Sequence, residues 1–211
     1  MSEGIPLAIL RTWLEGRSLA RKLPVPVADR GGFRVDTNSD TEVSRWVFPD
    51  LSDGLANLAN EITSPGYLLK ACATPEQIRG CLPDGWTLGP VGYFMAASRD
   101  WPLHTLPEGY SIETQAEGRV ISAKVRSSDG AVAASGYAAE TDAAFVYDRI
   151  ITSPEHRRRG LATALMNTLR QCRQTSTSPE LLVATADGRR LYESLRWRTL
   201  SVYTTAYIAG D

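Results

Sequence analysis

The sequence predicts an α/β fold of the α+β kind, a mixed sheet with helices packed on it, preceded by a long N-terminal extension. Three observations predict it. From Glu108 onward, segments with a period of two residues and segments with a period near 3.6 follow in the order β-β-β-β-α-β-α-β. The stretch DRIITSPEHRRRGLATALM, residues 148–166, ends a strand, turns through Pro154 and opens a helix. The first third is broken by turn-rich pieces, LPVPVADRGG at 23–32, DTNSD at 36–40 and FPDLSDG at 48–54.

Taken in order, residues 5–22 space Ile9, Trp13, Leu14, Arg17 and Arg21 as an amphipathic helix would, with Gly16 as a weakening residue. Phe33 to Val35 fits a short strand, and Asp53 to Ile62 a helix with Leu55, Leu58, Ala59 and Ile62 on one face. Tyr67 to Ala71 reads as a strand. Thr74 then caps a short helix, with Pro75 at its first position and Gln77 three residues on, the spacing at which side chain and backbone cap each other. Tyr93, Phe94 and Trp101, among prolines and glycines between Gly89 and Pro107, suggest a packed loop or edge element.

In the second half, Tyr110 to Gln115 and Val120 to Arg126 alternate apolar and polar residues, and SSDG at 127–130 turns the latter back into Ala131 to Ala139. Ala143 to Thr152 is the next strand. A helix from Gly160 to about Gln174 puts Leu161, Leu165, Leu169 and Cys172 on one face. After the breaker at 175–179 come a strand from Leu181 to Thr185, a helix from Gly188 to Leu195 that Asp187 can cap, and one or two strands from Arg198 to Ile208. No internal repeat is visible.

Composition narrows the function classes. A length of 211 residues allows one elaborated domain or two small ones. With 23 basic residues against 24 acidic ones, a chain built to coat nucleic acid is unlike this one, and outside 157–159 no basic cluster is interleaved with aromatics. Cys72, Cys81 and Cys172 are odd in number and far apart, so neither a disulfide framework nor a metal site is read from them. Glu3 and the short apolar run after it do not fit a secretory leader, and no stretch is long enough for a membrane span. A cytoplasmic protein without a membrane partner is expected, its assembly state open, a homodimer included.

The chemistry is carried by residues 157–163. A helix N-terminus offers unpaired N–H groups and partial positive charge; Gly160 and Ala162 let an anion approach the backbone; Arg157, Arg158 and Arg159 add charge, and Thr163 a hydroxyl. Together they suit a nucleotide diphosphate, although a basic run before a helix can also be a solvated surface. There is neither GxxxxGK[ST] nor GxGxxG.

Arg157-x-x-Gly160-x-Ala162, after a strand ending Ile150, Ile151 and Thr152 and after Pro154, resembles the acetyl-CoA signature of the GNAT N-acetyltransferase superfamily. The run ELLVATADGRRLYESLRW at 180–197 resembles that family's last strand and helix. The resemblance covers roughly residues 108–208 and implies a GNAT core at 108–211, with 1–107 an acceptor-side wall or a degenerate subdomain. It implies transfer of acetyl from acetyl-CoA to a primary amine, of a small molecule or a peptide, by direct attack through a tetrahedral intermediate and without a metal. The alternative is a non-catalytic module that binds acyl-CoA for regulation.

The resemblance places Ile150, Ile151 and Thr152 along the pantetheine arm and the amides of Arg158, Arg159, Gly160, Leu161, Ala162 and Thr163 around the pyrophosphate. Thr185 falls where an asparagine often meets the cofactor. Tyr192 falls on the general acid that protonates the departing thiolate, although on an amphipathic helix it could equally be a core aromatic. For the base, Asp148 is the first candidate and Glu180 the second, each with a structural alternative; for Asp148 that alternative is an ion pair with Arg149. Arg196 stands where the family has glycine, which implies a different helix end. Only four residues separate the strands at 110–115 and 120–126, where most members carry two helices.

Overall fold

A computed structural model of the chain describes residues 4–98, 100–102, 104–175 and 177–210. Glu3 and Ser176 of the 175–179 breaker lie outside them. The elements are α1 (Leu7–Ala20), β1 (Val27–Asp29), β2 (Gly32–Ser39), β3 (Glu42–Phe48), α2 (Asp53–Glu61), β4 (Tyr67–Ala71), α3 (Pro75–Arg79), β5 (Trp86–Leu88), β6 (Gly92–Ala97), β7 (Tyr110–Glu117), β8 (Val120–Ser127), β9 (Val132–Glu140), β10 (Phe145–Thr152), a 3-10 turn (Pro154–His156), α4 (Leu161–Gln171), β11 (Glu180–Ala184), α5 (Ala186–Ser194) and β12 (Trp197–Ile208).

The strands form one mixed sheet in the order β1-β2-β3-β4-β12-β6-β11-β10-β9-β8-β7, with β5 also on β12. The expected α/β mixed sheet and N-terminal extension are present. The long last strand holds the sheet together: its first part, from Trp197 to Tyr203, pairs with β6, and its second part, from Thr204 to Tyr207, with β4. Strand β6 is correspondingly central, antiparallel to both β11 and β12. Within the segment from Gly89 to Pro107, expected to be a packed loop or edge element, Gly92–Ala97 is thus a core strand. Phe94 and Met95 are both fully buried because a central strand is covered on both faces and loses the alternation that marks half-exposed strands.

A repeat that the sequence does not display is plain in the topology. The first half runs β3-α2-β4-α3-β5 and the second β10-α4-β11-α5-β12, each with a parallel strand pair bridged by a helix. Each half also receives a strand from the other. The end of β12 lies between β4 and β5, and β6 lies between β11 and β12.

Three apolar clusters hold these layers. One joins α4 and α5 to the sheet through Leu161, Leu165, Tyr147, Tyr192 and Trp197. Another, on the opposite face, seats α1 through Leu10, Trp13 and Leu14 on Val146, Phe94 and Tyr203. A third lies under α2 and α3. Gly16, a weak residue by propensity, earns its place in α1: a Cβ there would sit 2.5 Å from Val146 Cγ2, so the glycine lets the helix lie directly on β10. This helix lies against β9, β10 and β2, while β7 and β8 form a tight hairpin whose register runs from Tyr110 opposite Ser127 to Glu117 opposite Val120.

Candidate functional site

The site begins where two strands part. β10 and β11 are paired only at Phe145–Glu180 and Val146–Leu181. Beyond that, β11 continues along β6 to Ala184. β10 continues along β9 with an irregularity between Asp148 and Ile151, where Arg149 takes φ 53°. From Tyr147 onward β10 therefore has no strand partner on its β11 side, and its peptide groups there are open to hydrogen bonding. Ile150, Ile151 and Thr152 line this parting, and Ile151 is 59% exposed. The unfavourable Arg149 backbone is held by its side chain, which donates to the Ala20 carbonyl and stacks 3.9 Å from the centre of the Tyr137 ring.

The helix after β10 starts without a side-chain cap. Its N-cap is Gly160, at φ 76°, so the first-turn amides of Leu161, Ala162 and Thr163 have no capping side chain. The other helices of the repeat are capped: Ser52 accepts from Leu55 N, Thr74 and Gln77 form the expected reciprocal box, and Thr185 accepts from Gly188 N. A Cβ on Gly160 would meet nothing within 4 Å, so the glycine leaves space in front of the helix end. Arg157, Arg158 and Arg159 are exposed around it, Arg158 at φ 64°. Arg159 donates to the Tyr110 hydroxyl at 3.2 Å, and that hydroxyl lies 3.0 Å from His156 Nδ1. Tyr110, which sequence reasoning passed over, thus anchors the basic loop across 46 residues. Thr163 turns inward, at 3% exposure, so what it presents at the helix end is its amide.

Tyr192 on α5 lies in the same cluster as Leu161 and Leu165, its ring 5.7 Å from that of Trp197. Burial alone pushes its hydroxyl well above the ordinary phenol range, so it keeps its proton at neutral pH. Two expectations at the ends of α5 need correction. The cap expected of Asp187 is made by Thr185, and Asp187 lies inside the first turn. Arg196 does not change the helix end: it adopts φ 64°, the left-handed turn a glycine would make. Cys172 also differs from expectation, being exposed at the end of α4 instead of on its buried face.

The two candidate bases are not brought together. Asp148 binds Arg21 of α1 through both oxygens, at 2.8 and 2.9 Å, and pairs with Arg149 at 3.0 Å. Glu180 lies at the closed end of the parting, opposite Phe145. Its oxygens accept from Tyr147 at 2.6 Å and Arg173 at 3.0 Å, with Arg170 at 3.1 Å. Each carboxylate is the centre of an ion-pair group, and both of its oxygens have partners. Arg21 escaped sequence reasoning because its partner is 127 residues away. Among the described residues no group of three or more His, Cys, Asp or Glu is placed to hold a metal, and no helix is long and apolar enough to cross a membrane.

Against known proteins, residues 116–198 match the family model of the acetyltransferase (GNAT) domain. No curated protein matches the chain in sequence. Among solved structures it is similar to a GCN5-related N-acetyltransferase from Kribbella flavida, with TM-score 0.68 and 16% identity over 99% of this chain and 97% of that one. It is also similar to a GCN5-related N-acetyltransferase-like protein from Streptococcus suis, with TM-score 0.56 and 13% identity over 85% and 84%. A tandem GNAT protein from the clavulanic acid biosynthesis pathway gives TM-score 0.55 and 12% identity over 85% and 80%. At these identities the structures speak for the fold. Residues 116–198 thus match the GNAT acetyltransferase domain, and they are set in a fold, running through both halves, that is similar to that of GNAT proteins.

Proposed function

We propose that the protein transfers the acetyl group of acetyl-CoA directly to an amine, in the cleft where β10 and β11 part. The observation that carries this reading is the joining of that parting to an uncapped helix end: open peptide groups on β10 lead to the amides of α4, with Gly160 clearing the approach and three arginines around it. The residues fit a long, amide-bearing, anionic ligand. The peptide groups of Ile150 to Thr152 would pair with the pantetheine amides as an added strand does, and the amides of residues 158–163 with Arg157 to Arg159 would hold the pyrophosphate. Acetyl-CoA supplies an activated acetyl thioester.

We assign Tyr192, which stays protonated, as the acid that gives its proton to the thiolate as the C–S bond breaks; burial makes its hydroxyl a weaker acid, so the transfer relies on the thiolate forming in the same desolvated surroundings. Asp148 and Glu180 could accept the amine proton only by giving up ion pairs, so we assign Asp148 to positioning: it ties α1 and Arg21 to the irregular turn of β10. The amine proton goes to water. The first 97 residues contribute α1 as the wall of the opposite face and β6 as a strand of the sheet.

Thiol release from acetyl-CoA, measured against a panel of amines, tests the proposal. Turnover with at least one amine, together with saturable acetyl-CoA binding by calorimetry, is the expected result. Tight acetyl-CoA binding without release of thiol for any amine would replace it with the regulatory binding module.

A further inference from the structure

On the face of the sheet that α1 covers lies a group of cations that neither the family match nor the proposed transfer uses. Arg17 comes from α1, Arg21 from the residue that ends it, Arg45 from β3 and Lys70 from β4. Lys70 stands opposite Thr205 of β12 and donates to its hydroxyl at 3.0 Å. Period-two alternation puts Arg45 and Val47 on one face of β3, and Val47 belongs to the cluster beneath α1 with Cys72 and Tyr203. The side chain of Arg45 is only 8% exposed. Glu42 takes its Nε and, at 2.7 Å, its Nη2, while its Nη1 is buried with no partner.

The carboxylates facing this group are Glu42 on β3 and Asp148 on β10, and each is already paired, Glu42 with Arg45 and Asp148 with Arg21 and Arg149. Arg17 and Lys70 form no ion pair among the described residues, and both remain partly exposed. A half-buried cation without a carboxylate partner is costly, and two of them beside a third, buried one whose Nη1 is unsatisfied are costlier. Burial, then Arg45 and Arg17, lowers the Lys70 ammonium to about 7, and burial, then Arg45 and Arg21, lowers Arg17 to about 10.

Position says what such a site is for. Along β10, Phe145, Tyr147 and Ile150 point to the α4 side, where Tyr192 lies, while Val146, like Ala144 just before the strand, points to the α1 side. Asp148 continues this second row and meets Arg21. The parting of β10 from β11 is the gap between the two faces. A donor entering from the α4 side leaves the α1 side to the second substrate.

We infer that Arg17, Arg45 and Lys70 bind an oxyanion carried by the acceptor, so that the amine acetylated here also bears a carboxylate or phosphate. Guanidinium forks and an ammonium are the groups suited to such an oxyanion. This inference rests on the acetyltransferase reading above, and its test separates the two.

With CoA held in excess so that the end of α4 is occupied, the full chain is titrated calorimetrically with inorganic phosphate at pH 8 in buffers of different ionisation heat. Thiol release is then compared for matched amines, an α-amino acid against its amide and phosphoethanolamine against ethanolamine. Phosphate should bind with uptake of a proton by Lys70, and at least one charged amine should exceed its neutral partner at least tenfold in kcat/KM, which also tells carboxylate from phosphate. Lys70→Met and Arg17→Leu, on separate elements, should each weaken phosphate at least tenfold and erase the preference.

Lys70→Met removes a poorly solvated cation, so its thermal midpoint should not fall. The unfolded chain holds more protons than the folded one between pH 7 and about 10.5, so the Lys70 contribution to stability rises with pH across that window; the variant should lose that rise. Phosphate binding unchanged in both variants, or equal turnover of charged and neutral amines, overturns the inference. Phosphate binding that needs Lys70, with no amine acetylated, leaves the anion site standing and overturns the acetyltransferase reading.

Discussion

The two halves of the sheet solve the same problem, a strand turning into a helix beside a parallel strand, with opposite outcomes. In the first half, β3 and β4 stay paired over five positions, from Ser44–Tyr67 to Phe48–Ala71. The turn after β3 closes on a capped helix, with Ser52 on the Leu55 amide and Asp53 in the first turn. In the second half, β10 and β11 part after two pairs and α4 begins uncapped, amid arginines. Both helices carry the same triplet near their start, Gly54-Leu55-Ala56 inside the first turn of α2 and Gly160-Leu161-Ala162 from the N-cap of α4. The glycines differ in kind. A Cβ on Gly54 would lie 2.0 Å from the Arg30 carbonyl oxygen, whereas one on Gly160 would meet nothing. The first glycine is required by packing and the second is not, which teaches that the groups folding leaves unsatisfied mark the place kept for a ligand.

The largest effect that could break this comparison is at Gly54. Gly54→Val should cost about 3 kcal/mol or more, because backbone must move to admit the side chain; a denaturant midpoint near that of the parent would show the packing argument wrong. Tyr192→Phe acts on the second half alone. It should lower kcat by about 100-fold with acetyl-CoA affinity nearly intact, and an unchanged rate in the thiol assay would move the acid elsewhere. Ser52→Ala should cost about 1 kcal/mol by removing a cap, a loss to which α4 is immune because it has no capping side chain. The smallest effect is a gain. Arg196→Gly should stabilise by about 0.5–1 kcal/mol through relief of its left-handed backbone, without altering turnover, as thermal unfolding and the same assay would show.

The parts of the molecule legible in the sequence are those set by neighbours along the chain. Tyr67–Ala71 is a strand with the expected bounds, the Thr74–Gln77 box is formed, and the turn at 127–130 joins β8 to β9. The unpaired helix end before α4 was legible too, since Gly160 and the arginines lie within a few residues of it. What escaped depends on distant pairing. β6 carries no alternation because β11 and β12 cover both its edges and the layers on either side cover its faces. The repeat is hidden because each half is completed by a strand from the other. The Arg17–Arg45–Lys70 group is assembled from three elements, and the ties of Asp148 to α1 span 127 residues, so no local pattern announces either. The base candidates illustrate the limit: Asp148 and Glu180 occupy plausible strand positions, and only the fold reveals that both are already paired.

The measurement that bears most directly on the difference between the halves is a calorimetric titration of acetyl-CoA into the full chain and into Gly160→Trp. The expected result is one acetyl-CoA bound per chain, lost in Gly160→Trp while the unfolding free energy falls by no more than the strain of a side chain at φ 76° requires, about 1–2 kcal/mol. Two molecules bound per chain, or affinity retained in Gly160→Trp, would contradict the assignment of the ligand site to the uncapped helix of the second half.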